Sequence, residues 1–312
     1  MEVIYGDSKP KKLTADWPRQ IYGNSCSMVN HFGSILMSQG NNFKTFQKLD
    51  MLDTGSWNKH KTLNMKRSFE TAVTTETATF VFGGSKSPNT YEYLPYDAED
   101  CTNINWVLGK SNIPDGFDGG CAIHIKSKNE IWLIGGYSTE QRILSFDVND
   151  HTFKEMPIQL NIGRYGHRCE FIPNTNKILI TGGCDVTDTI TSTTEILDID
   201  NESVTMASPL NSGRVNHGIG VLTINDENRI AVFGGGVIGS GLRSVELYDA
   251  KSQEWEITKI KLSEGRHSFG FLSVTLGDLK DDCTSSTNFT QLCQKHKNVY
   301  IKHLDDIGVP EW

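Results

Sequence analysis

Four Gly-Gly pairs, each directly after a short apolar run, have the residue types of a nucleotide-binding loop. They occur in the segments TFVFGGSKS, EIWLIGGYST, KILITGGCDVT and RIAVFGGGVI, with second glycines at Gly84, Gly136, Gly183 and Gly235. A phosphate-binding loop needs the pattern GxGxxG, GxxxxGKS or GxxxxGKT in front of a helix, because N–H groups at the helix N-terminus bind the phosphates. The first three pairs have no such pattern, and GGGVIG at residues 234–239 fits GxGxxG by its letters only, because no segment with helical periodicity follows it. We therefore expect these glycines to supply turn dihedrals and to let a crowded strand end approach its neighbour.

Arginine and histidine recur near these pairs and could bind an anion or a metal. The arginines are Arg67, Arg164, Arg214 and Arg266, and His167 and His217 follow two of them in the phrase Arg-x-x-His. A guanidinium group holds a carboxylate through two parallel hydrogen bonds, so several such groups together would favour an acidic ligand. A metal site needs at least three protein ligands, and the two histidines have no third ligand at a fixed spacing. The sequence therefore predicts no metal site, no cofactor and no catalytic residue.

These phrases belong to an internal repeat with a period of about 50 residues. A third phrase follows three of the Gly-Gly pairs, in which an aspartate stands six residues before an apolar residue: Asp147 before Phe153, Asp198 before Val204, and Asp249 before Trp255. Within one unit, the segments GHRCEFI, KILIT, TEILDI and ESVTMA are typical of strands, and turn residues separate them. Four short antiparallel strands per repeat describe a blade of a β-propeller.

At this point the sequence resembles the kelch family of β-propellers, on the phrases Arg-x-x-His, apolar run plus Gly-Gly, Tyr-Asp and Trp. The resemblance covers residues 20–265 in five units. Strand-like segments at both ends imply a sixth blade, because joining them would remove exposed sheet edges. We therefore predict an all-β, six-bladed propeller of four-stranded antiparallel blades, closed by N-terminal strands. The predicted blades are 21–65, 66–114, 115–161, 162–211, 212–262, and 263–312 completed by 1–20.

The same resemblance implies a binding surface. In kelch adaptor proteins, arginines at these positions and the residues directly after Gly-Gly line a pocket for an acidic peptide. Here the corresponding residues are Arg67, Arg164, Arg214, Arg266, Ser85, Tyr137 and Cys184. We therefore predict a protein-interaction module that binds a short acidic segment, as an adaptor or a cytoskeletal scaffold, and not an enzyme. The alternatives are a kelch-fold enzyme acting on a sugar and a secreted carbohydrate-binding propeller.

Charge and cysteine usage bear on partners and compartment. The net charge of −8 argues against nucleic acid or an anionic membrane as a partner, because binding to phosphate needs clustered lysine and arginine. The seven cysteines are scattered, and several lie in apolar strand-like runs, so we expect buried free thiols. Cys283 and Cys293 are the exception, because they could close a loop in a polar segment. The prediction is a cytoplasmic protein, or an extracellular one if a signal peptide has been removed. The sequence predicts no oligomeric state.

Overall fold

The fold is built from β-strands that follow one another along the chain. The computed structural model describes residues 61–96, 104–225, 227–236 and 241–268, together with strand positions in the segments 2–3, 11–12, 28–31, 34–38, 43–50 and 58–60. All regular secondary structure in these residues is strand. The first two strands, β1 (Glu2–Val3) and β2 (Lys11–Lys12), form an antiparallel pair.

Five four-stranded antiparallel sheets follow, and we call them blades 1 to 5. Blade 1 contains β3 (Met28–His31), β4 (Ser34–Ser38), β5 (Phe43–Asp50) and β6 (Asn58–Arg67). Blade 2 contains β7 (Thr71–Thr74), β8 (Ala78–Phe82), β9 (Tyr91–Pro95) and β10 (Val107–Leu108). Blade 3 contains β11 (Cys121–Ile125), β12 (Glu130–Ile134), β13 (Ile143–Asp147) and β14 (Phe153–Glu155).

The last two blades have the same strand order. Blade 4 contains β16 (Arg168–Phe171), β17 (Lys177–Thr181), β19 (Thr194–Asp198) and β20 (Ser203–Ala207). A two-stranded pair, β15 (Arg164–Tyr165) and β18 (Cys184–Asp185), lies beside it. Blade 5 contains β21 (Gly218–Ile224), β22 (Glu227–Phe233), β23 (Leu242–Asp249) and β24 (Glu254–Arg266). The described residues thus hold five blades of the predicted kind and not six, and residues 269–312 of the predicted sixth blade lie outside them.

The blades pack against one another through both faces of their middle strands. In β12, Ile131 and Leu133 join the cluster shared with blade 2, while Trp132 and Ile134 join the cluster shared with blade 4. Side chains alternate between the two faces of a strand, so a strand buried on both faces reads as an unbroken apolar run. The apolar runs in front of Gly-Gly therefore form the second strand of each blade, whose side chains pack against the blades on both sides.

A chain of backbone hydrogen bonds joins the blades where the innermost strands begin. The N–H of Gly119 donates to the carbonyl of Phe69 at 2.9 Å, Gly166 donates to Gly119 at 2.7 Å, and Asn216 donates to Gly166 at 2.8 Å. Ser268 continues the series by donating to Asn216 at 2.9 Å. All five residues have φ between 50° and 64°, the left-handed region. Each is the second residue after the arginine of its repeat or after the residue in its place. This belt holds the loops around the centre of the propeller at fixed spacing.

The prediction of buried free thiols is wrong for two cysteines. Cys121 in β11 and Cys169 in β16 form a disulfide, with their Cα atoms 6.2 Å apart. The innermost strands of blades 3 and 4 lie side by side, which brings together two residues 48 positions apart in the chain. Cys184 is a buried free thiol, as expected. Cys283 and Cys293 lie outside the described residues.

We expect the substitution Cys121→Ser to lower the free energy of unfolding by about 2–4 kcal/mol under non-reducing conditions, because the disulfide restricts the unfolded chain. Urea unfolding with and without a reducing agent measures this. The reducing agent should lower the stability of the wild type by a similar amount and leave the variant unchanged. A wild type that is insensitive to reduction would show that Cys121 and Cys169 are not bonded in solution.

Candidate functional site

Three of the four arginines that were predicted to line a binding surface, Arg67, Arg164 and Arg214, are buried, so that prediction is wrong for them. The Arg164 side chain is fully buried. Its guanidinium group donates to the carbonyls of Gly182 at 2.9 Å and Thr193 at 3.0 Å, and to the Glu195 carboxylate at 2.6 Å. Burial lowers the pKa of Arg164, while the charge of Glu195 opposes this, and an arginine stays charged in either case. The guanidinium group therefore ties the Gly-Gly turn to the third strand of blade 4 and is not available to a partner.

The same arrangement recurs in two other blades. Arg67 is paired with Glu92 at 3.1 Å, and Arg214 is paired with Glu246 at 2.7 Å; these four side chains are at most 1% exposed. Arg266, the last residue of β24, lies at the corresponding position, is partly exposed, and accepts a hydrogen bond on its carbonyl from the N–H of Gly235. The recurring arginine, which suggested a site for an acidic ligand, is thus part of a buried Arg-Glu pair that stabilises blades 2, 4 and 5.

Blade 3 carries an apolar version of this motif. The N–H of Gly84 donates to the carbonyl of Phe117, as the N–H of Gly136 donates to the carbonyl of Arg164. Phe117 therefore occupies an arginine position. Leu144 stands three residues before the turn aspartate of its blade, where blades 4 and 5 have glutamate. Phe117 and Leu144 are buried in the same apolar cluster, so a hydrophobic pair replaces the ion pair.

The three glutamates that pair with these arginines, and three asparagines that bind the glutamates, were not identified from the sequence. Both kinds of residue stand at a fixed spacing in the repeat. The backbone N–H and the side-chain amide of Asn161 donate to the second oxygen of Glu195 at 2.8 and 3.0 Å. Asn64 and Asn211 bind the glutamates of blades 2 and 5 in the same way. The signals are Asn three residues before the arginine, and Thr or Ser two residues before the glutamate.

The two histidines of the Arg-x-x-His phrases are also structural. His167 and His217 are fully buried, and burial lowers the pKa of each imidazole well below its usual value, so both are neutral. His217 shares a hydrogen bond with the Thr181 hydroxyl at 2.8 Å. The two rings lie under Gly135 and Gly182, the first glycines of the pairs in blades 3 and 4. Among the described residues, no group of three or more His, Cys, Asp or Glu could hold a metal ion.

The residues after Gly-Gly lie at one end of the propeller, which we call the Gly-Gly face. Each is bonded to the residue that follows the arginine position of its own repeat. The N–H of Ser85 donates to the carbonyl of Ser68 at 2.8 Å, and the N–H of Tyr137 donates to that of Asp118 at 2.7 Å. Cys184 is paired with Tyr165 between β18 and β15. The backbone of this face is thereby tied to the belt, and the side chains of exposed residues project from a rigid frame.

The predicted site residues of the Gly-Gly face differ in their exposure. Ser85 is exposed, and its hydroxyl lies 2.9 Å from that of Ser68. Tyr137 is 58% exposed, whereas Cys184 is only 7% exposed. Burial raises the pKa of the Cys184 thiol, so it remains protonated and is a poor nucleophile at neutral pH. Of these three residues, Tyr137 offers the largest surface to a partner.

Tyr137 belongs to a cluster formed by the loops of blades 3 and 4. Its ring packs edge-on against Tyr165, with ring centroids 5.3 Å apart. The Tyr165 hydroxyl donates to the Asp188 carboxylate at 2.7 Å. Burial and this hydrogen bond raise the pKa of Tyr165, so the hydroxyl stays a donor. Val186, which is 69% exposed, lies in the same loop as Asp188. We call Tyr137, Tyr165, Val186 and Asp188 the tyrosine patch.

A second acidic group lies beside the patch at the start of the innermost strands. Asp118, whose carbonyl binds the N–H of Tyr137, is half-buried. Burial, together with the nearby charge of Glu70, raises the pKa of Asp118 to about 6. At neutral pH this carboxylate is therefore mostly ionised in surroundings that a positive charge would stabilise.

Comparison with known proteins finds a relative that contains kelch repeats. Part of the chain aligns with a kelch repeat-containing protein of Dictyostelium discoideum, at 29% identity over 201 residues. The chain is a β-propeller that is similar to this kelch repeat-containing protein. The alignment covers 57% of this chain and 29% of the relative, so the chain spans less than a third of the length of that protein. No protein-family model matches the chain.

The propeller fold of this chain is also seen in a solved structure. The structure of YjhT superposes with a TM-score of 0.65 at 16% identity, and the match covers 80% of this chain and 86% of that one. At this level of identity, the likeness establishes the shared fold. No helix in the described ranges is long and apolar enough to cross a membrane.

Proposed function

We propose that this propeller is a protein-interaction module that binds a segment of a partner on its Gly-Gly face. The observation that carries this proposal is the exposure of Tyr137 on a loop whose backbone is bonded to the belt. A large aromatic side chain on a rigid frame contributes contact area at a small cost in conformational entropy, which is why aromatic residues are enriched at binding hot spots. The kelch relationship supports the same function.

The acidic partner predicted from the arginines loses its basis here. Arg67, Arg164 and Arg214 are buried and bonded to glutamate, so they cannot bind carboxylates of another chain. The proposed surface therefore consists of Tyr137, Ser85 and their exposed neighbours. We also propose a binding role and not a catalytic one, adaptor or scaffold, because Cys184 is a buried, protonated thiol and the two histidines are buried and neutral.

We further propose that the ring has six blades, with residues 263–312 completed by residues 1–20. The belt supports this, because Ser268 extends it beyond the outer strand of blade 5. The chain has thus returned to the centre of the propeller, where a further innermost strand would begin.

The compartment also stays a proposal. A cytoplasmic location was predicted, whereas the bond between Cys121 and Cys169 favours an oxidising compartment, because cytosolic thiols are kept reduced. Alkylation of the thiols in native material, followed by mass spectrometry, distinguishes the two. Labelling of both cysteines supports the cytoplasm, and their protection supports an extracellular location.

We expect the double substitution Tyr137→Ala with Val186→Ser to abolish or weaken partner binding by at least about 10-fold, as loss of a hot spot does. Immobilised wild type and variants are compared by quantitative affinity capture. The matched control is Leu108→Ser in the outer strand of blade 2, which also removes an exposed apolar side chain. Proteins retained by the wild type and the control but lost by the double variant are the expected result. Equal retention by all three would refute the Gly-Gly face as the binding surface.

A further inference from the structure

Tyr137 and Val186 are large apolar side chains that the Gly-Gly face exposes to solvent. The large apolar residues exposed in the described part of the chain are Val107, Leu108, Tyr137, Val186, Met206 and Ile257. Four of them lie in the outermost strands of blades 2, 4 and 5. Tyr137 and Val186 alone among the six lie in Gly-Gly loops, where Tyr137 packs on Tyr165 and Val186 lies near Gly163, the residue before Arg164. They make the tyrosine patch the apolar centre of this face.

The charged side chains in the two loops that carry Tyr137, Val186 and Asp188 are all acidic. These loops, residues 135–141 and 182–193, contain Glu140, Asp185 and Asp188 and no lysine or arginine. Arg164, next to Tyr165 in the sequence, is buried and paired with Glu195. Arg142, which directly follows the first loop, is paired with Asp115 at 2.7 Å and is only 14% exposed. Hydrogen bonds from Thr187 and Thr189 lower the pKa of Asp185, so this carboxylate is ionised at neutral pH. The patch is thus an aromatic and apolar surface within an acidic field.

We propose that the tyrosine patch binds a basic segment of a partner protein through a lysine or arginine side chain. The inference deepens the proposed function and rests on it. A cation placed over the Tyr137 ring is attracted by the electrons of the ring face. The Asp188 carboxylate supplies a negative charge nearby, since it accepts a hydrogen bond from Tyr165, the residue on which Tyr137 packs. The aliphatic stem of the same side chain would pack on Val186 while its charged end stays at the carboxylates. An acidic segment would meet only like charges here.

Fluorescence anisotropy with short labelled peptides tests this. Three peptides of equal length are compared, in which the same positions are lysine and arginine, glutamate, or serine. We expect only the basic peptide to bind, with an affinity that falls as salt is added, because the pairing is exposed to solvent. Tighter binding of the glutamate peptide than of the basic one would overturn the proposal.

Substitutions then assign the binding to the patch. Asp188→Asn keeps the side-chain shape and is compatible with the positive φ at this position, 61°, which asparagine tolerates. This substitution should weaken binding of the basic peptide by about 3- to 5-fold, because an exposed ion pair contributes about that much. Tyr137→Ala should weaken it by about 10-fold or more, since it removes both the ring and its contact area. The control Asp150→Asn makes the same charge change in an exposed hairpin of blade 3 and should have no effect.

The outcomes separate this inference from the proposed function. If the double variant of Tyr137 and Val186 loses its captured proteins but the basic peptide binds no better than the serine peptide, the face binds partners and the basic chemistry is wrong. If Asp188→Asn and Asp150→Asn weaken the basic peptide equally, the attraction comes from the net charge of −8 and not from the patch. Unchanged thermal midpoints of the variants show that the fold is intact.

Discussion

Replacing Glu195 by leucine should lower the free energy of unfolding by about 3–5 kcal/mol, because it leaves the buried Arg164 guanidinium without its counter-charge. Both side chains are fully excluded from solvent, so water cannot take the place of the carboxylate. The backbone N–H and side-chain amide of Asn161 lose their acceptor as well, but Asn161 is exposed and water can replace it. Chemical denaturation followed by tryptophan fluorescence measures the loss.

A second substitution should recover much of that loss. Blade 3 has Phe117 and Leu144 where blade 4 has Arg164 and Glu195, and the fold accommodates that apolar pair in its core. Replacing both members of a buried ion pair by apolar residues removes the cost of burying charge, whereas replacing one exposes it. The double variant Arg164→Phe with Glu195→Leu should therefore recover at least about half of the stability lost in Glu195→Leu.

An exposed ion pair serves as the control for these Arg164 and Glu195 variants. Glu227 is paired with Lys251 at 2.7 Å, and both side chains are more than 60% exposed. The substitution Glu227→Leu should change stability by less than about 1 kcal/mol, as is usual for surface pairs. If the double variant loses as much stability as the single variants Arg164→Phe and Glu195→Leu combined, the apolar pair of blade 3 is not an adequate replacement for the ion pair of blade 4. If Glu195→Leu costs no more than Glu227→Leu, the buried pair contributes little to the fold.

The blades could be predicted because their signals are local. An apolar run that is buried on both faces, a Gly-Gly turn and an aspartate at a hairpin are each read within a few residues. Asp198 illustrates this, since its carboxylate accepts hydrogen bonds from the N–H groups of Asp200 and Asn201 and so forms the turn between β19 and β20. Repetition of the three signals was sufficient to predict four-stranded propeller blades.

The candidate site could be predicted only in part, because the fate of a charged side chain depends on distant residues. Arg164 meets Glu195 from 31 positions away, and nothing within its own phrase shows whether it faces a partner or a carboxylate of its own chain. The disulfide likewise depends on two neighbouring blades. Tyr137 was predicted to lie on the binding face from its position after Gly-Gly. Its packing on Tyr165 and the acidic surroundings required the loops of two blades to be placed together.

The Gly-Gly pair itself supports a prediction that separates its two roles. Gly182 has φ +57°, and a Cβ added there would overlap the carbonyl oxygen of Arg214. This carbonyl accepts the N–H of Gly183 at 2.7 Å and is held by the backbone of the next repeat. The substitution Gly182→Ala should therefore cost about 2–5 kcal/mol, the sum of a strained left-handed residue and an overpacked contact.

Gly119 is the matched control, because it has the strain without the overlap. Its φ is +64°, and the nearest atom to an added Cβ is 3.9 Å away. Phe69 and Asn216 adopt the same conformation at the corresponding belt positions, so a side chain is accepted there. Gly119→Ala should cost only about 1–2 kcal/mol, the price of the left-handed backbone alone. Equal losses in denaturant unfolding for the two variants would mean that turn dihedrals alone require the Gly-Gly pair. A larger loss at Gly182 would mean that the close approach between successive blades requires it too.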